Sequence, residues 1–575
     1  MSGFTEYIAD RLSDYSVQSE NSDIEVEDSD SDVAPRRKSK AVPLQYSGES
    51  DGLSDSEMLA ESLSYTDTES WSDVDKAPDI PEFIAEPGPK IFPANKQSIK
   101  EIVEMVIGND LFALMMNESN TYYHQNKEKM CKGKKMSKWN DISLAEMKKF
   151  LGMIVLMGQV KKDRKDDYWS SEFYTKTPSF ATIMSRNRFR QIWDTWHFSN
   201  NRTTAGSNKL EKIRPILNYL LDKFKSVYTP RKELSLDESI IPWRGKLSIK
   251  TYNPAKLIKY GLLCRMLCEA KSGYICNIEI YCADGKKLDQ TIMSLLDTNI
   301  GLGYHLYMDN YYNSVRTAEL LLKNGTRVCG TIRANRGIPE SMKHITLKTG
   351  DYTFKRKNEI LVQAWKPKRK IVYMISTIHS AELTNTTKVH WKTKQAIIKP
   401  QSVIEYNKYM MGVDLADQFL SYYSILRKTV KWTKKTVLFL LNCALFNAYR
   451  LYVEFNGNTI RYKQFLHAVG RLWIEEYSSA QNVSSDCAEE IPTSALVPTP
   501  RTPKYDHPQR LSGEMKKHNV TRIIGSGNKN RYVRRPCKVC SASKKRSESS
   551  FMCALCLVPL HLGKCFEKYH TSLKY

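Results

Sequence analysis

Apolar positions recur at helical spacing over residues 101–118, through Ile102, Val106, Leu111, Leu114 and Met115, and predict a helix. Ser143 followed by Glu146 is a capping-box start for a second helix carrying Met147, Phe150, Leu151, Ile154 and Val155. Phe189, Ile192, Trp193 and Trp196 predict another, as do Ile213, Leu217 and Phe224, so residues 96–230 read as helical. From Lys232 the texture changes to short β-like runs at 234–237, 260–267, 274–281, 304–308 and 327–332, with a turn at Ser272 and Gly273. A helix-like stretch over 318–322 separates the last two runs, so 231–335 reads as an α/β sheet. Residues 336–400, with Lys-rich turns and strand-like runs at 360–365 and 371–378, read as a β-rich insertion. Helical texture resumes over 401–423 and 424–485. The apolar run 436–446 is too short to cross a bilayer and predicts a buried helix, so no membrane partner is expected.

The pattern lapses at two places. Residues 1–95 are rich in Ser, Asp and Glu and read as a disordered acidic tail, with serines before acidic residues as phosphorylation candidates. Residues 36–40, RRKSK, are a nuclear-import candidate, so a nuclear location is expected. Residues 486–530 read as a Pro- and Ser-rich linker. The net charge of +24 is reached despite the acidic tail, and a polyanionic partner follows.

Residues 531–575 hold the strongest metal signal. Cys537-x2-Cys540 and Cys553-x2-Cys556 are followed by His561, Cys565 and His570. One tetrahedral zinc takes four ligands and two interleaved zincs take eight, so a pair of zinc ions leaves one ligand unnamed. Arg531, Arg534 and Arg535 precede the first pair, and Lys544, Lys545 and Arg546 lie between the pairs. Such charge suits recognition of DNA ends; a zinc-stabilised protein-interaction module is the alternative. Cys264, Cys268, Cys276 and Cys282 sit in apolar runs and read as core.

Asp237 lies in one β-like run and Asp309 ends another, where side chains project over a sheet edge. Asp414 and Asp417, three apart, share a helix face. That pair is either a solvated helix start or half of a cation site. Converging carboxylates suit two Mg²⁺ or Mn²⁺ ions and phosphodiester chemistry. Beside them lie Arg244, Lys246, Lys250, Lys256 and Lys259, then Arg427, Lys428, Lys431, Lys434 and Lys435 around Trp432. These read as DNA contacts, or else as a charged surface with a core tryptophan. No phosphate-binding glycine loop occurs, and ATP is not expected.

Four stretches make the chain resemble the piggyBac family of DDE/D transposases: SLDESIIPWRGKL (235–247), YMDNYYNS (307–314), GVDLADQ (412–418) and RKTVKWTKK (427–435). The resemblance implies a multidomain α/β fold. Its catalytic core would be ribonuclease-H-like and interrupted by the β-rich insertion. A helical dimerisation and DNA-binding domain would be assembled from both sides of the core, and a cross-brace zinc module would follow. It assigns catalysis and the divalent metal to Asp237, Asp309 and Asp414, with Asp417 as a fourth acidic participant. Trp432 matches a tryptophan that stacks near the transposon end or target junction. The implied activity is cut-and-paste transposition by a homodimer that binds terminal inverted repeats, cleaves through hairpin ends and integrates at TTAA. A transposase-derived DNA-binding or chromatin protein without mobility is the alternative, and a nuclease that cuts without joining is another.

Overall fold

The computed structural model describes residues 71–131, 139–202, 209–254, 258–389, 396–480, 506–507, 510–511, 518–523 and 533–575. They divide between two compact units that meet in sequence at residues 483 and 484. The acidic tail expected over residues 1–70 and most of the expected linker lie outside the described residues. The rest of the tail does not behave as expected. Residues 71–95 lie along the first unit, and Gly88–Pro89 (β1) pairs with Tyr228–Thr229 (β2). Two of their acids have cationic partners: Asp73 pairs with Lys355 at 2.8 Å and Asp75 with Arg356 at 2.8 Å. Phe83 packs edge-on against Tyr304. Ion pairs and aromatic burial together outweigh the acidic composition that suggested disorder.

The helical part begins with α1 (Ile99–Val106) and α2 (Asn109–Cys131). The single helix expected over 101–118 is divided because the Gly108 amide donates to the Tyr219 hydroxyl (3.2 Å) instead of continuing the ladder. The expected capping box at Ser143 and Glu146 starts α3 (Leu144–Gln159). Then come α4 (Pro178–Ile183), α5 (Arg186–Thr195) and α6 (Arg214–Val227).

The central sheet follows. Its strands are β3 (Glu233–Pro242), β4 (Thr251–Tyr252), β5 (Tyr260–Glu269), β6 (Ile275–Ile280), β7 (His305–Met308), β8 (Arg327–Thr331), β9 (Tyr352–Lys357), β10 (Ile360–Trp365) and β11 (Val372–Ser376). Spatial order is β4-β5-β3-β7-β8-β11-β10-β9, with β6 also on β5. β3, β7 and β8 run parallel, and the flanking pairs are antiparallel. Parallel neighbours need crossovers, supplied here by α7 (Leu288–Leu296) and α8 (Val315–Lys323). Strands of the expected insertion extend this sheet through the β8–β11 pairing, while β12 (Leu383–Val389) and β13 (Ala396–Pro400) form a separate ribbon.

α9 (Gln401–Tyr409) and α10 (Gly412–Tyr422) return to the sheet, followed by α11 (Trp432–Asn456) and α12 (Tyr462–Ala480). α11 is the buried helix expected around 436–446. Among the described residues it alone is long and apolar enough to cross a membrane, and Cys443, Ala444, Leu445 and Phe446 are fully buried in the fold. α12 packs on α3 where two glycines face each other. A Cβ on Gly152 would lie 2.8 Å from the Gly470 carbonyl, closer than side chains tolerate. Helices from the two sides of the sheet in sequence thus share one interface.

The second unit contains β14 (Val520–Arg522), β15 (Arg535–Pro536), α13 (Lys538–Ala542), β16 (Glu548–Ser549), β17 (Phe551–Cys553) and α14 (Lys564–Thr571). β14 pairs with β17, so a segment expected in the linker belongs to the metal module.

Candidate active site and metal centres

Asp237 and Asp309 are neighbours by register. Leu236 of β3 pairs with Met308, the last residue of the parallel β7, and each aspartate is the next residue in the chain. The Asp309 carboxylate accepts from the Tyr311 amide (2.8 Å), and Asp237 from the Glu238 amide (2.7 Å). Asn313 fastens the turn after β7, donating to the carbonyls of Met308 (2.9 Å), Asp309 (3.1 Å) and Thr331 (3.0 Å). Burial, then the charge of Asp237, raises the Asp309 pKa; backbone amides and Arg333 oppose the rise. Glu238, 6% exposed, is pushed up to about 8 by burial and by Asp237 and Asp309. Sequence reasoning passed over Glu238, although its place beside Asp237 was a visible signal. A cation would relieve this mutual repulsion, and carboxylate oxygens are the hard donors a divalent metal takes.

α10 covers the face of β3 that carries Ser235, Asp237 and Ser239. A Cβ on Gly412 would meet the Ser235 hydroxyl at 2.3 Å, so glycine lets the helix seat on the strand. Farther along, Asp417 accepts from the Ser239 hydroxyl at 2.6 Å. Asp414 is exposed, whereas Asp417 is half-buried and turned to the sheet. The shared acidic face expected for the pair is therefore divided between solvent edge and sheet. Among the described residues, groups of three or more metal-ligand atoms within 4.8 Å of one another occur at two Cys/His clusters, and Asp237, Asp309 and Asp414 do not reach that spacing.

Those clusters are Cys537, Cys540, His561 and Cys565, and His518, Cys553, Cys556 and His570. They alternate along the chain, so the ligand sets interleave. The Cys540–Cys565 sulfurs are 3.8 Å apart, and sulfur-to-nitrogen distances run from 3.4 Å (Cys556–His518) to 3.6 Å (Cys553–His518). Tetrahedral zinc with bonds of ~2.3 Å to sulfur and ~2.05 Å to nitrogen requires edges of about 3.8 and 3.6 Å. Both clusters could hold zinc. The second ring nitrogens are braced: His570 Nδ1 lies 2.8 Å from the Phe566 carbonyl and His561 Nε2 3.1 Å from that of Glu548. His518 is the ligand missing from the sequence reading. It stands well upstream of the cysteines, with no paired spacing to mark it.

A family model described as Transposase IS4 matches residues 100–449. The human PiggyBac transposable element-derived protein 3 is 23% identical over 82% of this chain and 76% of its own length. Protein 2 of the same human series is 23% identical, covering 66% of each chain. The chain belongs to the piggyBac transposase family. The solved structure described as a piggyBac transposase synaptic complex with hairpin DNA shares the fold, with a TM-score of 0.61 at 20% identity. It covers 84% of this chain and 100% of that one.

The piggyBac pattern also directs attention to the basic residues. Arg244, Lys259, Lys428, Lys431 and Arg534 are exposed, and Arg535 is half-buried. Lys256 and Arg531 lie outside the described residues. Trp432, the first residue of α11, is half-buried against the main core. Lys434 is a correction. It is buried, its amine bonded to the carbonyls of Trp193 and Asp194, because α11 is enclosed from its first turn. Arg427 is buried as well, and the Lys435 amine turns back to the Arg427 carbonyl at 3.0 Å. These three do not offer charge to an open surface.

Proposed function

We propose that this protein is a cut-and-paste DNA transposase that cleaves terminal inverted repeats through hairpin ends and inserts at TTAA. The observation that carries the reading is that Asp237 of β3 and Asp309, just past the end of the parallel β7, each follow the paired residues Leu236 and Met308, with the helix that bears Asp414 seated on β3. Three antiparallel strands, β6-β5-β3, followed by β7 and β8 parallel to β3, support a ribonuclease-H-like core. The hairpin step draws support from the hairpin DNA named for the structural neighbour.

Asp237, Asp309 and Asp414 would hold Mg²⁺ or Mn²⁺. Bound there, the divalent ions would lower the pKa of an attacking hydroxyl and offset charge on the leaving oxygen. The chain's own residues orient the carboxylates. Amides at Glu238 and Tyr311 aim Asp237 and Asp309, Asn313 fixes the turn, and the Asp417–Ser239 bond seats α10. Exposed Arg244, Lys259, Lys428 and Lys431 would neutralise DNA phosphates, with Trp432 near the junction and Arg534 and Arg535 on the zinc module. Each Cys/His quartet would hold one zinc. Joining two DNA ends calls for a homodimer, and the substrate calls for a nuclear location.

Asp237→Asn, Asp309→Asn and Asp414→Asn are each expected to abolish cleavage of a terminal-repeat duplex while leaving its binding within about twofold. Normal cleavage by one purified variant would remove that residue from the site. The resemblance to proteins named as transposable element-derived sustains a second reading, a DNA-binding protein without mobility. A plasmid carrying the repeats that flank the gene separates the two: excision supports the transposase, and binding without excision supports the alternative.

A further inference from the structure

β3 and β7 also bring side chains together at the ends opposite the aspartates. Glu233 begins β3 and His305 begins β7. These strand starts, the segment after β11 and α9 border a cavity of about 340 Å³, with Ile80 of the N-terminal segment beside it. Small-molecule sites run from about 300 to 1,000 Å³. Gln401, Glu405 and Tyr409 recur every four residues, so α9 turns one face to the cavity.

Glu405 is held in place by three donors. Its Oε2 lies 2.9 Å from His379 Nε2 and accepts from the Tyr307 hydroxyl at 3.3 Å, and its Oε1 accepts from the Gln401 amide at 3.4 Å. His379 Nδ1 lies 2.8 Å from the Ser376 hydroxyl, which accepts from the amides of Ile378 (3.1 Å) and His379 (3.2 Å). That hydroxyl therefore has its hydrogen for Nδ1, and the imidazole proton faces Glu405. Ser376 is 1% exposed and does not line the cavity, so the row orients a carboxylate and offers no nucleophile. The bond from His379, first of all, holds the Glu405 carboxyl below the usual carboxylate range. Among the described residues no lysine or arginine forms an ion pair with it. Lys408, nearly one turn on, lies over the Tyr409 ring at 4.7 Å instead.

The opposite charge on the cavity is Lys232. Among the described residues its amine makes no ion pair or hydrogen bond. Glu233 beside it is met by Lys271 at 3.9 Å. His305 feels both unpaired charges. It is 6% exposed, and its Nε2 is buried with no hydrogen-bond partner. Burial, then Lys232, lowers its pKa to about 3, and Glu405 opposes the fall. The cavity thus presents an oriented anion, a cation not paired with it, and a neutral imidazole with an unspent nitrogen. A molecule bearing one charge would satisfy one wall and leave the other; a molecule bearing both satisfies the two.

We propose that this cavity binds a small zwitterion of the amino-acid type, its ammonium on Glu405, its carboxylate on Lys232, and His305 as a further hydrogen-bonding partner.

The test melts the full chain with straight-chain amino acids from glycine to 6-aminohexanoate. Butylammonium and butyrate serve as single-charge controls, all against sodium chloride at matched ionic strength, and calorimetric titration gives the affinities. At least one amino acid of the series is expected to raise the melting temperature and to bind about tenfold more tightly than either control, as one charge-assisted hydrogen bond does. Lys232→Met and Glu405→Gln are each expected to weaken that binding about tenfold. Lys232→Met loses no hydrogen bond of the folded chain, so it decides the matter if Glu405→Gln does not fold. Either control binding as tightly as the amino acids would leave one charge idle and overturn the zwitterion. No rise with any probe, or an equal rise in the variants, would overturn the site. None of these readouts involves DNA, so the inference is tested apart from the proposed function.

Discussion

Lys434 carries the clearest pH consequence of any single residue. An exposed lysine keeps its proton to about pH 10.5, whereas this buried one releases it near 7. Between those values the unfolded chain binds one more proton than the folded chain, so stability rises with pH across that window. Lys434→Met removes the titration. Urea unfolding of the wild type and the variant from about pH 6 to about 9 should show the wild type gaining, by at most about 1.4 kcal/mol per pH unit. A constant difference would mean that the amine stays protonated on its two carbonyls. Lys434 also marks the limit of legibility at this scale. Its neighbours Lys431 and Trp432 suggested that it too faces DNA, but Lys434 lies on the side of the first turn of α11 that is buried. Only the placement of Trp193, distant in sequence, shows which way the lysine points. His518 escaped for a related reason: a lone histidine has no spacing partner, and the ligand set closes only in three dimensions.

Among the elements, β3 and β7 were the most legible. An aspartate after an apolar run predicts a strand-end acid; Asp309 follows the last residue of β7, while Asp237 lies within β3, one residue past the Leu236–Met308 pair. What the helical pattern could not reveal is how Asp414 and Asp417 divide. Three residues of helix turn through roughly 300°, so the two side chains point about 60° apart, and the sheet captures one of them. The 2.6 Å bond from Ser239 makes Asp417 the clasp between α10 and β3. A hydrogen bond to a charged group contributes about 1.5–3 kcal/mol, so Ser239→Ala should lower stability by roughly 2 kcal/mol. Asp417→Asn keeps an accepting oxygen. It should retain part of the cleavage activity that Asp417→Ala loses, and its metal affinity should stay near that of the wild type. If Asp417→Asn is instead as inactive as Asp237→Asn and binds Mn²⁺ as weakly, then Asp417 is a ligand and the clasp is secondary.

For the molecule as a whole, local pattern misjudged continuity more than identity. β10 and β11 were read correctly as strands and β9 was passed over, yet all three join the central sheet, because a sequence marks strands and not their partners. The C-terminal Cys/His unit was legible as a candidate metal module but not in its extent, since β14 and His518 lie in a stretch whose composition resembles a linker. Its apolar cluster is small: besides cysteines, its buried members are Val539, Val558, Leu560 and Tyr569. So small a cluster offsets little of the chain entropy, and zinc in the two quartets would supply the difference. With four ligands in each of two interleaved sets, loss of either ion should loosen both halves. The purified chain is expected to contain about two zincs. His518→Ala should reduce the count to about one and increase amide exchange throughout residues 518–575, the intact quartet included. A chelator should produce the same loss across that unit while leaving the exchange protection of β3, β7 and α11 unchanged. One zinc in the wild type, or exchange confined to the His518 quartet in the variant, would show that the two sets fold separately.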